Sequence, residues 1–232
     1  MKVTTDSCLF GAWTANRIKN EKPVRPPGGL ISNNVLDIGT GTGLLALMYA
    51  QNDPQVHIDA IETDKEAFQQ ASENIAASPW KDRIKTFHSD AMKFDFLSRY
   101  DVIISNPPFY ENESKADDKK KNIARHNEGM LFHELITVIK KTLAQTGTFY
   151  LLLPFKRNDE IKHFFTDHEF IIEEMVFIRQ SVNHGYFRIM LSGTHRSGNP
   201  VETRINEISI CNDQQQYSAE FIDLLKEYYL NL

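Results

Sequence analysis

Long hydrophobic runs are missing from this 232-residue chain: nowhere do about 18 apolar residues follow one another, the length a helix needs to span a bilayer. The N-terminus also lacks the apolar core of a secretion signal, so neither membrane insertion nor export is expected. Cysteine is scarce. Cys8 and Cys211 lie far apart without metal-ligand spacing, which argues against a disulfide framework and a metal site and for a reducing, cytoplasmic setting. An excess of positive charge is absent as well. Lys and Arg number 26 against 31 Asp and Glu, a formal net charge of -5, so any nucleic-acid surface must be sought locally. No repeat, low-complexity tract or composition shift divides the chain. With 41% hydrophobic residues, residues 1–232 are expected to form one domain and to work as a monomer.

What is present is an alternation of strand and helix patterns. Apolar runs at 34–39, 56–62, 84–90 and 100–105 read as strands, with helices at 44–51 and 65–77 between them. A helix over 128–145 and a strand over 147–154 follow a charged loop. Near-continuous apolar strands separated by helices predict a parallel sheet covered on both faces, with right-handed crossovers. Strands at 170–180, 187–195 and 204–211 then follow without helices between them and predict an antiparallel extension, closed by a helix over 218–230.

The segment "LDIGTGTGLL" puts Gly39, Gly41 and Gly43 between the first strand and its helix, at the strand end where doubly wound sheets bind ligands. Such a turn either lets a ligand approach the backbone or simply closes tightly. Glu62 ends the next strand, 19 residues after Gly43, where a carboxylate can take both hydroxyls of a ribose; the alternative is a surface acid before a helix. Asp90 ends the third strand and either accepts from an adenine amino group or caps a turn. Asp37 precedes the glycines and is expected to shape the turn and to help fix the ligand's amino-acid end. No Lys-Ser/Thr pair follows, so this is not a Walker phosphate loop.

The fourth strand stops on "SNPPFY", residues 105–110. Asn106 offers a side-chain carbonyl and Pro107 a backbone carbonyl, two acceptors that can grip the two N–H bonds of a planar amino group. Pro108 stiffens the loop, and Phe109 offers a face for base stacking, worth roughly 1–3 kcal/mol. The alternative is a Pro-rigid loop with an aromatic plug.

Taken in this order and spacing, "DIGTGTG", "AIETD", "SDA" and "SNPPFY" resemble class I S-adenosylmethionine-dependent methyltransferases that modify exocyclic or amide nitrogens. "MKVTTDSCLFGAW" (1–13) and "NIARHNEGMLFHELI" (122–136) are similar to the bacterial family that makes N6-methyladenine at adenine 37 of valine tRNA. Members of that family begin with a longer aromatic-rich segment, so the chain is expected to be truncated at its start. The resemblance implies a Rossmann-like class I fold with a mostly parallel seven-stranded sheet, antiparallel C-terminal strands and helices on both faces. It implies S-adenosylmethionine as cofactor, held by Thr5, Asp6, Asp37, Gly39, Gly41, Gly43, Glu62, Asp64, Asp90, Ala91 and Asn106. Thr4 to Asp6 form either a lid over that cofactor or an N-terminal cap or turn. Asn106, Pro107, Pro108 and Phe109 carry the transfer, in which the amino nitrogen attacks the methyl carbon in line and alignment replaces acid–base work.

For the RNA, the segment 111–125 holds five basic and four acidic residues. Tyr110, Lys119, Lys120, Lys121, Arg125 and His126 are the candidate contacts there, a solvated loop being the alternative. The stretch 179–204 adds four arginines, among them Arg188, against a single acid, a second candidate RNA face. Three alternatives share parts of the pattern: a guanine-N2 rRNA methyltransferase, a protein-glutamine methyltransferase and a non-catalytic cofactor- and RNA-binding module.

Overall fold

The computed structural model describes residues 3–20, 33–107, 132–196 and 202–231. Its eight strands are β1 (Asn33–Ile38), β2 (Val56–Glu62), β3 (Ile84–His88), β4 (Tyr100–Ser105), β5 (Leu143–Pro154), β6 (Phe170–Ser181), β7 (Tyr186–His195) and β8 (Arg204–Cys211). Six α-helices are described: α1 (Thr5–Asn20), α2 (Leu44–Asn52), α3 (Lys65–Ala76), α4 (Phe132–Thr142), α5 (Asn158–Asp167) and α6 (Ala219–Leu225). All strands join one sheet in the order β3-β2-β1-β4-β5-β7-β6-β8, one strand more than the seven expected.

The strands carry side chains to both faces because successive residues of a strand point in opposite directions. On one face Val35, Val102, Ile104, Tyr150 and Leu152 pack under α1, α2 and α6. On the other, Leu36, Ile103, Phe149, Leu151 and Leu153 pack under α4 and α5. Double burial is the reason these strands read as unbroken apolar runs.

Three features depart from the expectation. The extension is not antiparallel throughout: β7 pairs antiparallel with both β5 and β6, but β8 pairs parallel with β6. Since β5 and β6 flank β7, the next strand can only add outside β6. Running opposite to β7, it lies parallel to β6. The second departure is α5, a ten-residue helix between β5 and β6 where none was expected, which buries Ile161 and Phe165 one turn apart. The third is α1, where the sequence suggested only a lid or a cap. Residues 6–15 are all buried, so the helix has no polar stripe to reveal its period. Leu9, Phe10 and Trp13 anchor it, each worth about 1.5–3 kcal/mol of burial. Gly11 lets α1 pack closely on α2: a Cβ there would sit 2.5 Å from the Met48 sulfur, so the end of that side chain would have to move.

Candidate active site

The strand order reverses between β1 and β4, the position where an open parallel sheet splits its loops to opposite sides and leaves a crevice. Ile38 and Ser105, the last residues of these strands, are register partners. The Ser105 hydroxyl, absent from the sequence reading, donates to the Ile38 carbonyl at 2.7 Å. Asn106 and Pro107 therefore leave the sheet beside the point where the chain enters the glycine turn at Gly39.

Gly39, Gly41 and Gly43 have φ of 69°, 60° and 82°, the left-handed region that residues with a Cβ rarely adopt. The turn is drawn toward β2, with the Gly39 and Thr40 N–H groups donating to the Ile61 carbonyl at 2.9 and 3.1 Å. Glu62 completes the tether. Its Oε2 accepts from Gly41 N at 2.9 Å, and its Oε1 accepts from Thr63 N and Asp64 N at 2.9 Å each. The carboxylate, 7% exposed, thus stands between the glycine turn and the end of β2. A carboxylate has about four acceptor positions, so one remains beyond these three bonds.

Asp37 is fully buried beneath the turn. Its Oδ2 accepts from the Thr40 hydroxyl at 2.6 Å, while Oδ1 has no hydrogen-bond partner. Burial pushes its pKa up to about 7, with the nearby Glu62 charge adding to the rise and the Thr40 hydrogen bond opposing it. A buried acceptor without a donor suits a ligand that brings positive charge and N–H groups, and S-adenosylmethionine carries both on its amino-acid end. The ionised form is the one that attracts this cation, and one pH unit below the pKa leaves about a tenth of it. Cofactor affinity is therefore expected to rise about tenfold from pH 6 to pH 8. The free protein shifts the opposite way, because a raised carboxyl pKa lends stability at low pH that is lost as the pH climbs through about 7. Calorimetry across this range checks both, and Asp37→Asn should flatten the affinity profile.

Asn106 makes the contact that the sequence did not reveal. Its Nδ2 donates to the Ser7 hydroxyl at 2.8 Å, across 99 residues of chain, which leaves the carbonyl half of the amide to accept from a ligand. Ser7 lies in the first turn of α1. Beside it, Asp6 Oδ2 accepts from Arg188 Nε at 2.8 Å. Burial alone would raise the Asp6 pKa, but hydrogen bonds from Thr4 and Arg188 and the Arg188 charge outweigh it and hold the carboxyl below its usual value. Thr5 is exposed and hydrogen-bonds Tyr229.

On the far side of β2, Ser89 N donates to the Glu62 carbonyl at 3.0 Å, which sets Asp90 and the buried Ala91 next to the crevice. Asp90 Oδ1 accepts from Met92 N at 2.9 Å, and Oδ2 faces Lys93 at 3.3 Å, the turn-capping alternative. Asp64 caps α3, its Oδ1 accepting from Ala67 N at 2.8 Å. Thus Asp37, Gly39, Glu62, Asp90 and Asn106 gather at the carboxyl edge of four adjacent strands, while Asp64 faces its own helix.

The candidate RNA face is less basic than its composition suggested. Arg188 pairs with Asp6, Arg179 with Glu207 at 3.0 Å and Arg204 with Glu174 at 3.8 Å. Three of its four arginines are thus matched by carboxylates from elsewhere in the chain. A groove of about 780 Å³ near β6, β8 and α6 holds Glu174, which is buried and pairs with Arg17. That groove lies toward the β6–β8 side of the sheet, several strands from the glycine turn. Pro108, Phe109, Tyr110, Lys119, Lys120, Lys121, Arg125 and His126 lie outside the described residues. Among the described residues no group of three or more His, Cys, Asp or Glu is placed to hold a metal, and no helix is long and apolar enough to cross a membrane.

Comparison with known proteins agrees with this geometry. The profile of the family described as "Methyltransferase small domain" matches residues 24–177. A tRNA1(Val) (adenine(37)-N6)-methyltransferase of Pseudoalteromonas translucida is 36% identical over all of this chain and 93% of its own length. One bearing the same name from Flavobacterium johnsoniae is 34% identical, over all of this chain and 94% of its own length. Among solved structures, a predicted O-methyltransferase from Agrobacterium tumefaciens superposes with a TM-score of 0.69 at 14% identity. It covers 97% of this chain and 99% of its own, a likeness of fold.

Proposed function

The chain belongs to the tRNA1(Val) (adenine(37)-N6)-methyltransferase family, and on that premise we propose that it methylates the exocyclic N6 of adenine 37 in valine tRNA. We infer further that it does so as a single methyltransferase domain and a monomer, in the cytoplasm. The observation that carries this reading is the position of Asn106. It leaves β4 beside the glycine turn, with its amide nitrogen engaged by Ser7 and its carbonyl available as an acceptor.

Bound S-adenosylmethionine supplies a methyl group activated by a positively charged sulfur. The unpartnered Asp37 oxygen and the glycine turn support binding of its amino-acid end, Glu62 its ribose, and Asp90 with Ala91 its adenine. Asn106 Oδ1 and the Pro107 carbonyl hold the two N–H groups of the target base. That grip fixes the amino group's plane and leaves its lone pair directed into the crevice. Catalysis then rests on alignment, and the reaction needs no strong base. An adenine reaches such a crevice only when unstacked, which costs least in a single-stranded loop such as an anticodon loop.

The test offers tritiated cofactor with total tRNA, total rRNA, DNA and protein, followed by nucleoside mass spectrometry of the labelled fraction. Label confined to tRNA as N6-methyladenosine is expected. Label in rRNA as N2-methylguanosine, in protein as N-methylglutamine, or in no fraction overturns the proposal.

A further inference from the structure

Asparagine is an ambiguous catalytic group. Its amide presents an acceptor on one side and a donor on the other, and rotation about the terminal torsion exchanges them at small cost. If the donor faced an amino group, two sets of N–H bonds would oppose each other and the grip would fail. Something must hold the amide one way round. A lone serine hydroxyl cannot, because it donates as readily as it accepts.

The first turn of α1 resolves this through a chain of contacts whose polarity is set at its far end. Arg188 Nε donates to Asp6 Oδ2 at 2.8 Å, and the carboxylate, kept ionised, can only accept. Thr4, exposed just before α1, stands close enough to Asp6 to help hold its carboxyl ionised, and toward an ionised carboxylate its hydroxyl can only donate, so its single proton is directed there. Thr4 Oγ1 and Ser7 Oγ lie 2.7 Å apart, and with the Thr4 proton gone to Asp6, Ser7 must donate to Thr4. Ser7 then has only lone pairs left, and Asn106, at 2.8 Å, must meet them with its NH2.

We propose that Ser7 is a positioning residue that fixes which way round the Asn106 amide stands, through a one-directional hydrogen-bond chain running from Asn106 through Ser7, Thr4 and Asp6 to Arg188. Ser7 suits the role because it is only 9% exposed, so water competes little for the bond. It also sits on a helix held by Leu9, Phe10 and Trp13, so its hydroxyl stays in place while substrate enters. Arg188, also the expected RNA contact of the stretch 179–204, anchors the chain's far end through Asp6.

The proposal rests on Asn106 gripping the substrate amino group, and a double-mutant cycle separates the two ideas. Ser7→Ala is expected to lower kcat about tenfold, with the cofactor Kd and the tRNA KM within about twofold of wild type. Ser7→Thr, which keeps the hydroxyl, should restore kcat. Once Asn106 is alanine there is no amide to orient, so Ser7→Ala/Asn106→Ala should be no slower than Asn106→Ala alone. Thr4→Val, which frees Ser7 to donate, should show the same kcat-selective loss and guards against a Ser7 variant that folds poorly. Wild-type kcat in both Ser7→Ala and Thr4→Val overturns the positioning role, as does full additivity in the double mutant. Wild-type activity in Asn106→Ala overturns it too, and marks the failure as lying in the proposed grip rather than in Ser7.

Discussion

Asn106→Ala should bind S-adenosylmethionine as wild type does in calorimetry, yet transfer methyl at least about 100-fold more slowly, a loss of roughly 3 kcal/mol. Although the resemblance counts Asn106 among the cofactor residues, the contacts proposed for Asp37, the glycine turn and Glu62 lie on β1, the turn after it and β2, so truncating the side chain that follows β4 leaves them in place. What goes is one of two acceptors for the target amino group, and with it the group's fixed plane. The Pro107 carbonyl alone permits the base to swing, and the proposed reaction depends on alignment. Asn106→Asp is an informative companion. It preserves two acceptor oxygens but loses the donor that meets Ser7, so activity between wild type and alanine is expected. Undiminished transfer in the alanine variant would show that the amino group is held elsewhere.

Glu62→Ala should weaken cofactor binding by at least about tenfold and lower the melting temperature, without changing which nucleoside is modified. Both effects follow from its position. The carboxylate receives the N–H groups of Gly41, Thr63 and Asp64, and hydrogen bonds to a charged group contribute about 1.5–3 kcal/mol each. Its removal leaves the Gly41 N–H without a partner in a buried turn and unties that turn from β2. The cofactor loses a ribose acceptor and also the preformed shape of the loop beneath it. Glu62→Gln keeps an acceptor for Gly41 and should recover most of the stability but less of the affinity. A cofactor Kd within about twofold of wild type in the alanine variant would confine Glu62 to holding the loop.

The parts of the molecule visible in the sequence are those where local pattern and global packing agree. The strands around Val35, Ile58 and Ile103 are buried on both faces, so their apolar runs mark them without any knowledge of partners. The glycines at 39, 41 and 43 were readable because no other residue settles easily at their φ values. The parts that were hidden depend on contacts far apart in the chain. Asp6 meets Arg188 across 182 residues, and nothing in either neighbourhood announces the other. The same ion pair explains why counting arginines over 179–204 suggested a basic face: the matching carboxylates come from other segments of the chain. The direction of β8 was hidden for a related reason, since a strand's own residues do not say which edge will be open when it arrives. Helix α1 was hidden by thorough burial, which erases the amphipathic period by which helices are usually found.

The reversed direction of β7 has a consequence for how this scaffold can change. Strands parallel to β1 end at the crevice, whereas β7 begins there, so its early residue Arg188 arrives at the same rim as Asn106. The four residues 182–185 that lead into it form a short connection on that rim, joined to β6 by a hydrogen bond from His184 N to the Ser181 carbonyl. Lengthening or recoding that connection would alter the rim on the β7 side of Arg188 while the interior strands kept every neighbour. That rim can therefore change through one hairpin without disturbing the strands that carry the glycine turn and Glu62.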